Sequence, residues 1–206
     1  MSEVGERARA WALTMSGHRG ADDVVHAHLS GSARIDTGEV VRREAREERE
    51  NLLLRSGATR AQGAGNRAIP EEPDPERTCF ERDRDRIVHS TSFRRLAGKT
   101  QVVVHPTDHQ RTRLTHALEV AQVARSIAAG IGANVTLADA MALGHDCGHG
   151  PGGHASEQAF DAFIPEGFDH GPWGADVSLA SLNLCAETLD AVSYTHLRAH
   201  ETGRNL

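Results

Sequence analysis

The hydrophobic residues between Arg111 and Gly132 recur every three or four positions. An α-helix with this period carries an apolar stripe on one face, and we expect that stripe to point into the fold. The stripe consists of His116, Val120, Val123, Ile127 and Ile131. Gly130 and Gly132 are predicted to end the helix, because glycine favours the left-handed turn that closes a helix C-terminus.

A second helix is predicted to follow after a short connection. Thr136 and Asp139 have the spacing of a capping box at a helix start, and Leu137, Met141 and His145 fall on one stripe. The helix runs into the glycine-rich segment GHDCGHGPGGH. Two successive helices with apolar stripes predict an all-α bundle.

Other segments carry weaker patterns. Residues 41–54 have the composition and charge spacing of a helix, and a helical segment is also predicted around 83–96. Residues 56–75 are rich in Gly, Pro and Glu, which is typical of a linker or long loop. Residues 99–110 contain a short β-like run broken by Pro106.

The composition excludes several classes of protein. The chain has 206 residues, of which 38% are hydrophobic and 20 are glycine, and this balance excludes wholesale disorder. No apolar run approaches the about 18 residues of a membrane span, and the charged start MSEVGERARA differs from a secretion signal. We therefore expect a cytoplasmic protein. Its three cysteines, with no CxxC pair, argue against a disulfide framework or a thiolate zinc site.

The charge is distributed unevenly along the chain. The net charge is −6, yet residues 77–113 contain nine basic and four acidic side chains. A local positive excess suits a polyphosphate or a nucleic-acid backbone. The alternative interpretation is a solvated helix face whose alternating Arg and Asp residues pair with one another.

Two predicted helices direct histidines towards the same region. His116 and His145 lie in line with the apolar stripes, and Asp146 follows where glycines break the second helix. Imidazole nitrogens and a carboxylate form a ligand set for a divalent metal. Each histidine alone is more simply a buried core residue. However, the loop that follows contains five glycines between positions 144 and 154, together with His149 and His154, a density that packing does not require.

Three strings in this order resemble one known family. They are RDRIVHSTSFRRLAGKTQV (84–102), RTRLTHALEVAQ (111–122) and HDCGHGPGGHASE (145–157). The chain resembles the HD superfamily of metal-dependent phosphohydrolases, and within it the deoxyguanosine triphosphate triphosphohydrolases, over about residues 42–191. The resemblance implies an all-α HD domain that, in the complete protein, hydrolyses deoxynucleoside triphosphates to deoxynucleoside and triphosphate. We expect weak or absent activity from this chain as a fragment.

The resemblance also implies a role for individual residues. His116, His145 and Asp146 would bind the metal, with Mg²⁺ or Mn²⁺ favoured and Co²⁺, Zn²⁺ or Fe²⁺ as alternatives. A bound metal acidifies water and neutralises phosphate oxygens, while the leaving oxygen needs a proton.

Five further residues are expected around the substrate. His154 is expected to be the acid, Glu157 to orient its ring, and His149 to contact phosphate. The family resemblance implies that Arg113 grips phosphate and that Gln101 lies near the sugar.

The chain departs from the family pattern at several positions. Cys147, Gly150 and Gly152 replace the usual Leu, Pro and Phe of the glycine-rich loop. We expect these changes to alter the pocket lining rather than the ligand set, with Cys147 as a small buried side chain and not a nucleophile. The family's fourth metal ligand, an aspartate on a later helix, has no counterpart in the sequence.

The C-terminal segment explains this absence if it is foreign to the domain. Residues 192–202 read VSYTHLRAHET, the translation of a transposase-type sequencing adapter. We therefore predict a poorly ordered extension over 1–40, the N-terminal part of a truncated HD domain over 41–191, and an adapter-derived segment over 192–206. His196 and His200, four residues apart, can mimic a metal-binding pair there.

Two other functions remain open from the sequence. The first is a different HD phosphohydrolase, which its products would reveal. The second is a nucleotide-binding or single-strand nucleic-acid-binding module without turnover, which would use the basic excess of 77–113. We expect no membrane partner, and the family resemblance implies a homo-oligomer for the complete protein.

Overall fold

A computed structural model describes residues 40–99, 101 and 111–194 of the chain. Eight α-helices lie in these ranges, and we number them in chain order. They are α1 (Arg43–Leu53), α2 (Cys79–His89), α3 (Thr91–Arg95), α4 (Arg113–Ile131), α5 (Val135–Gly144), α6 (His154–Asp161), α7 (His170–Trp173) and α8 (Ala186–Ser193). Short irregular helical turns span Leu96–Gly98, Gly174–Ser178 and Ala180–Leu182.

No β-strand occurs within the described ranges, where an isolated bridge joins Arg67 and Cys185. The predicted all-α fold is therefore confirmed. The eight helices described here belong to the unit formed by residues 41–206. In the part of the chain that the structure covers, no helix has the length and apolar character needed to cross a membrane.

Three sequence predictions lie largely or wholly outside the described residues. These are the extension over 1–40, the β-like run over 99–110, and the adapter-derived segment over 192–206, together with its histidine pair. Within the last segment, Val192 is described, and its side chain is fully buried in α8.

Helix α5 occupies the centre of the bundle and packs against α4, α2 and α8. A methyl group added at Gly144 would lie 2.9 Å from the Val192 side chain, so α5 and α8 approach closely there. The main core cluster is Ile87, Phe93, Leu96, Ala117, Ala121, Ala140, Ala142, Leu143, Cys147, Ala175, Leu179, Leu184 and Val192. The glycine-rich loop that contains His149 and His154 thus starts from α5, the most enclosed helix.

The predicted inward face of α4 is wrong for its C-terminal half. Val123, Ile127 and Ile131 are each more than half exposed, whereas the buried apolar residues of this helix are Ala117, Ala121 and Ala128. Small alanine side chains let α4 and α5 pack closely. This close packing turns the alanine face of α4 inward and leaves the larger aliphatic side chains exposed.

The predicted ends of α4 and α5 are correct in part. Gly132 ends α4 in the left-handed region at φ 71°, but Gly130 stays inside the helix. The capping box at the start of α5 is wrong, because Asn134 caps that helix by accepting hydrogen bonds from the backbone N–H groups of Thr136 and Leu137. Asp139 is instead buried and accepts a hydrogen bond from Arg84 at 2.8 Å.

Residues 56–75, predicted as a linker or long loop, contain no helix or strand but are anchored by a buried ion pair. Arg67 and Asp83 lie 2.6 Å apart with side chains 4% and 0% exposed. The Asp83 carboxylate also accepts a hydrogen bond from the backbone N–H of Cys185 at 2.8 Å. The loop is therefore tied both to α2 and to the residue that precedes α8. All three cysteines are free, as expected.

Gly148 provides a stability test of the loop after α5. A methyl group at this position would lie 2.0 Å from the carbonyl oxygen of His170 and 2.5 Å from the backbone nitrogen of Gly174. Since backbone atoms cannot move aside cheaply, we expect Gly148→Ala to lower the free energy of unfolding by about 3 kcal/mol. Urea denaturation followed by circular dichroism measures this change.

The matched control is Gly130→Ala. Nothing lies within 4 Å of a methyl group there, and the residue is in a helix interior. This substitution is expected to raise the free energy of unfolding by up to about 1 kcal/mol. Equal stabilities of the two variants would contradict the close backbone approach at Gly148.

Candidate metal centre

The junction of α4 and α5 brings together the three predicted metal ligands. His116 lies in the first turns of α4, while His145 and Asp146 directly follow the last residue of α5. One ligand atom from each side chain lies within 4.8 Å of the other two. The imidazole rings of His116 and His145 meet edge to face, with centroids 5.4 Å apart. The helices thus place two imidazoles and a carboxylate around one point.

The hydrogen bonding of His145 prepares its ring for a metal. Its Nδ1 lies 2.6 Å from the carbonyl oxygen of Ala142, which can only accept a hydrogen bond, so Nδ1 carries the proton. Nε2 is then the ring nitrogen that faces the centre, and it lies 3.2 Å from Asp146 Oδ1. A backbone carbonyl commonly orients a metal-binding histidine in this way. The residues present therefore fit a divalent cation.

Asp146 is a buried carboxylate whose charge is compensated from several sides. Burial alone would raise the pKa of Asp146, but the contact with His149 and the charges of His145, His149 and Arg113 outweigh it and lower the pKa. Arg113 donates a hydrogen bond to Asp146 Oδ2 at 3.2 Å, and both side chains are almost fully buried. The carboxylate is consequently ionised at neutral pH and available to a cation.

His116 is half-buried, and its pKa is lowered chiefly by that burial. A lowered pKa keeps the imidazole neutral at neutral pH, which is the form that binds metals. Cys147 is also buried, and burial raises the pKa of its thiol to about 12. It therefore stays a protonated thiol, in agreement with its interpretation as a small core side chain.

The side chain of Arg113 packs directly against Gly153. A methyl group at Gly153 would lie 1.9 Å from an Arg113 terminal nitrogen, and Gly153 has φ 59°. Among the described residues, Nε of Arg113 has no hydrogen-bond partner although it is buried. Arg113 therefore retains one donor beyond its bond to Asp146.

A second group of ionisable side chains lies beside the first. The Nδ1 atoms of His149, His154 and His170 lie 3.0, 3.2 and 2.8 Å from Glu157 Oε1. The structure thus brings together the three residues that the sequence analysis assigned to catalysis and adds His170. Lys99 also reaches this region, since its ammonium group donates to the carbonyl oxygen of His149.

His170 and Lys99 were not found by sequence reasoning. His170 lies in FDHGPWG, between an aspartate and a glycine, a context with no ligand spacing to its partners. Lys99 is the single lysine of the chain. Burial lowers the pKa of Lys99. Gln101 lies next to the start of α4, where its backbone N–H donates to the carbonyl oxygen of Arg111 at 3.2 Å.

Most arginines of the basic segment 77–113 are paired with carboxylates. The pairs are Arg77 with Asp74 and Asp85, Arg82 and Arg86 with Glu71, Arg84 with Asp139, Arg111 with Glu119, and Arg113 with Asp146. Several of these carboxylates lie outside the segment, so its excess charge is compensated by the fold. This pairing favours the interpretation as a charge-paired surface over a nucleic-acid interface.

Comparison with known proteins agrees with this arrangement. The HD domain family matches residues 113–205, a range that includes His116, His145 and Asp146. The match also extends across most of 192–206, so the adapter origin of that segment stays a prediction.

Three relatives are described as deoxyguanosinetriphosphate triphosphohydrolase-like proteins. The protein from Caldanaerobacter subterraneus is 51% identical over 62% of this chain and 38% of its own length. The first such protein of Deinococcus radiodurans is 44% identical over 71% of this chain and 43% of its own length. That of Azorhizobium caulinodans is 50% identical over 62% of this chain and 35% of its own length. The chain spans less than half the length of the curated relatives it matches.

The compensation of Asp146 can be tested by removing Arg113. Arg113→Met would leave a buried carboxylate without its guanidinium, and we expect the free energy of unfolding to fall by about 3 kcal/mol. In an Asp146→Asn background the same substitution is expected to cost about 1 kcal/mol or less, because no charge is left unpaired. Urea denaturation of the four proteins measures the difference.

Arg125→Met is the matched control. Arg125 is more than half exposed and lies 4.0 Å from Asp139, so its replacement is expected to change stability by no more than about 0.5 kcal/mol. An equal cost of Arg113→Met in both backgrounds would show that the pair does not stabilise the centre.

Proposed function

We propose that this chain, whose residues 113–205 match the HD domain family, forms the metal- and phosphate-binding part of a metal-dependent hydrolase of deoxynucleoside triphosphates. The products are a deoxynucleoside and inorganic triphosphate. The names of the relatives support this substrate class, and dGTP is the first substrate to test. The observation that carries the proposal is the ring orientation of His145. Its Nδ1 donates a hydrogen bond to the carbonyl oxygen of Ala142, and its Nε2 faces Asp146 and His116.

His116, His145 and Asp146 would hold the divalent ion. When bound, the ion supplies positive charge to phosphate oxygens and makes a nearby water more acidic. Arg113 keeps Asp146 ionised and oriented, and its remaining Nε donor is available to a phosphate oxygen. The guanidinium would therefore contact both the metal-binding carboxylate of Asp146 and the phosphate of the substrate.

His154 is the proposed proton donor to the leaving oxygen. Its side chain is 68% exposed, so a substrate can reach it, and its Nδ1 lies 3.2 Å from Glu157 Oε1. Glu157 would hold the Nδ1 proton and direct Nε2 outward, which is the orientation a general acid needs. His149, the proposed phosphate contact, lies between Asp146 and Glu157 at 3.2 and 3.0 Å.

The product distinguishes this function from other HD phosphohydrolase activities. With dGTP and Mn²⁺, the product expected from the proposed reaction is inorganic triphosphate, which phosphorus NMR separates from other phosphates. His145→Gln is expected to weaken Mn²⁺ binding by at least about 10-fold, since it removes a direct ligand. Titration of the Mn²⁺ electron paramagnetic resonance signal measures this effect independently of turnover.

His89→Gln is the matched control, because His89 is an exposed histidine of α2 away from the centre. It is expected to bind Mn²⁺ as the unmodified chain does. Pyrophosphate or orthophosphate as the first product would overturn the proposed reaction. Unchanged Mn²⁺ binding by His145→Gln would overturn the proposed centre.

A further inference from the structure

Four side chains next to the first centre converge on one carboxylate oxygen. Nδ1 atoms of His149, His154 and His170 approach Glu157 Oε1 to 3.0, 3.2 and 2.8 Å. The rings of His149 and His170 are stacked with centroids 3.6 Å apart, and His154 stands perpendicular to His149 at 4.6 Å. Three nitrogen donors and one oxygen donor therefore surround a small common volume.

Hydrogen bonds do not account for the contact between His149 and Glu157. Among the described residues, Glu157 Oε1 and both ring nitrogens of His149 lack a hydrogen-bond partner of acceptable geometry. His149 is only 3% exposed, and its Nε2 also lies 3.2 Å from the carboxylate of Asp146. Buried polar atoms without partners carry a free-energy cost that a shared cation would remove.

The spacing suits a tetrahedral cation. One donor atom from each of the four residues lies within 4.8 Å of the others. Around a tetrahedral zinc ion with bonds of about 2.1 Å, neighbouring ligand atoms are about 3.4 Å apart. The three contacts to Glu157 Oε1 are slightly shorter than this, so small side-chain rotations would open the required space. Imidazole with one carboxylate is a donor set that favours zinc over magnesium.

We propose that His149, His154, Glu157 and His170 bind a zinc-class divalent cation in a site separate from the first centre. The exposed His154 gives the ion a route in, while the other three residues are held by the fold. The ring of His149 separates the two sites, with one nitrogen towards Asp146 and the other towards Glu157. An ion in this second site occupies Nδ1 of His154 and Glu157 together, so zinc is also expected to inhibit hydrolysis. That consequence alone rests on the proposed function.

Cobalt(II) is the probe for the second site, because its visible absorption is intense in tetrahedral coordination and weak in octahedral coordination. The full chain, produced without a polyhistidine tag, is titrated with Co²⁺ and then with Zn²⁺. The expected result is an intense visible band that saturates on addition of Co²⁺ and is abolished by excess Zn²⁺. His154→Ala is expected to lose the band, and His116→Ala to retain it.

The side chain of His154 is 68% exposed, so its replacement is expected to leave the fold intact, and circular dichroism checks this directly. His89→Ala, another exposed histidine, is the matched control and should keep the band. The double variant His196→Ala/His200→Ala should also keep it, which excludes that pair as the ligands. A band that is absent from the unmodified chain, or that survives His154→Ala, would overturn the proposal.

Inorganic phosphate is the competing occupant of the cluster. Titration with phosphate in the absence of metal distinguishes the two. Phosphate binding that depends on His154, together with no tetrahedral cobalt band, would show an anion site and overturn the proposal. These outcomes are separate from the test of the proposed function, which reads Mn²⁺ binding at His145 and the identity of the phosphate product.

Discussion

The buried charge of Asp146 is the constraint on which the candidate centre depends. An ionised carboxylate that is 2% exposed requires compensating groups close by. Arg113 provides a full positive charge at 3.2 Å, from the first residue of α4 to the second residue after α5. The ion pair therefore determines how the start of one helix meets the end of the other. One turn further along α4, His116 is brought opposite His145, so charge compensation and ligand placement have the same structural origin.

Two glycines allow the surrounding chain to close on this pair. Gly153 leaves room for the Arg113 guanidinium, and Gly148 lets the loop after α5 lie directly against the backbone at His170 and Gly174. The second approach carries His170 to the stacked position on His149. Without a glycine at 148, the segment that contains α7 would lie further out and the second cluster would lose a member. The glycine-rich composition of the loop thus reflects two specific backbone approaches rather than general flexibility.

The helical fold could be predicted because the spacing of hydrophobic residues and the positions of helix-breaking glycines are local properties of the sequence. The bounds of α1 and α4 and the end of α5 follow the predicted segments closely. The buried face of α4 could not be predicted in the same way, because it depends on how closely α5 approaches. Alanines at 117, 121 and 128 permit that approach, and Val123, Ile127 and Ile131 remain exposed as a result. Hydrophobicity alone ranks valine and isoleucine above alanine, whereas close helix packing favours the smaller side chain.

The difference between the two clusters shows what spacing along the chain can and cannot predict. His116, His145 and Asp146 could be brought together by reasoning from two helices and the glycines that end one of them. Their convergence needs only helix geometry and one helix–helix contact. Membership of His170 in the second cluster depends on the backbone contact at Gly148, which joins segments more than 20 residues apart in the sequence. The carboxylate contacts of His149 on both sides also become visible only when both clusters are in place. A single imidazole, that of His149, therefore lies between the carboxylates of the two clusters.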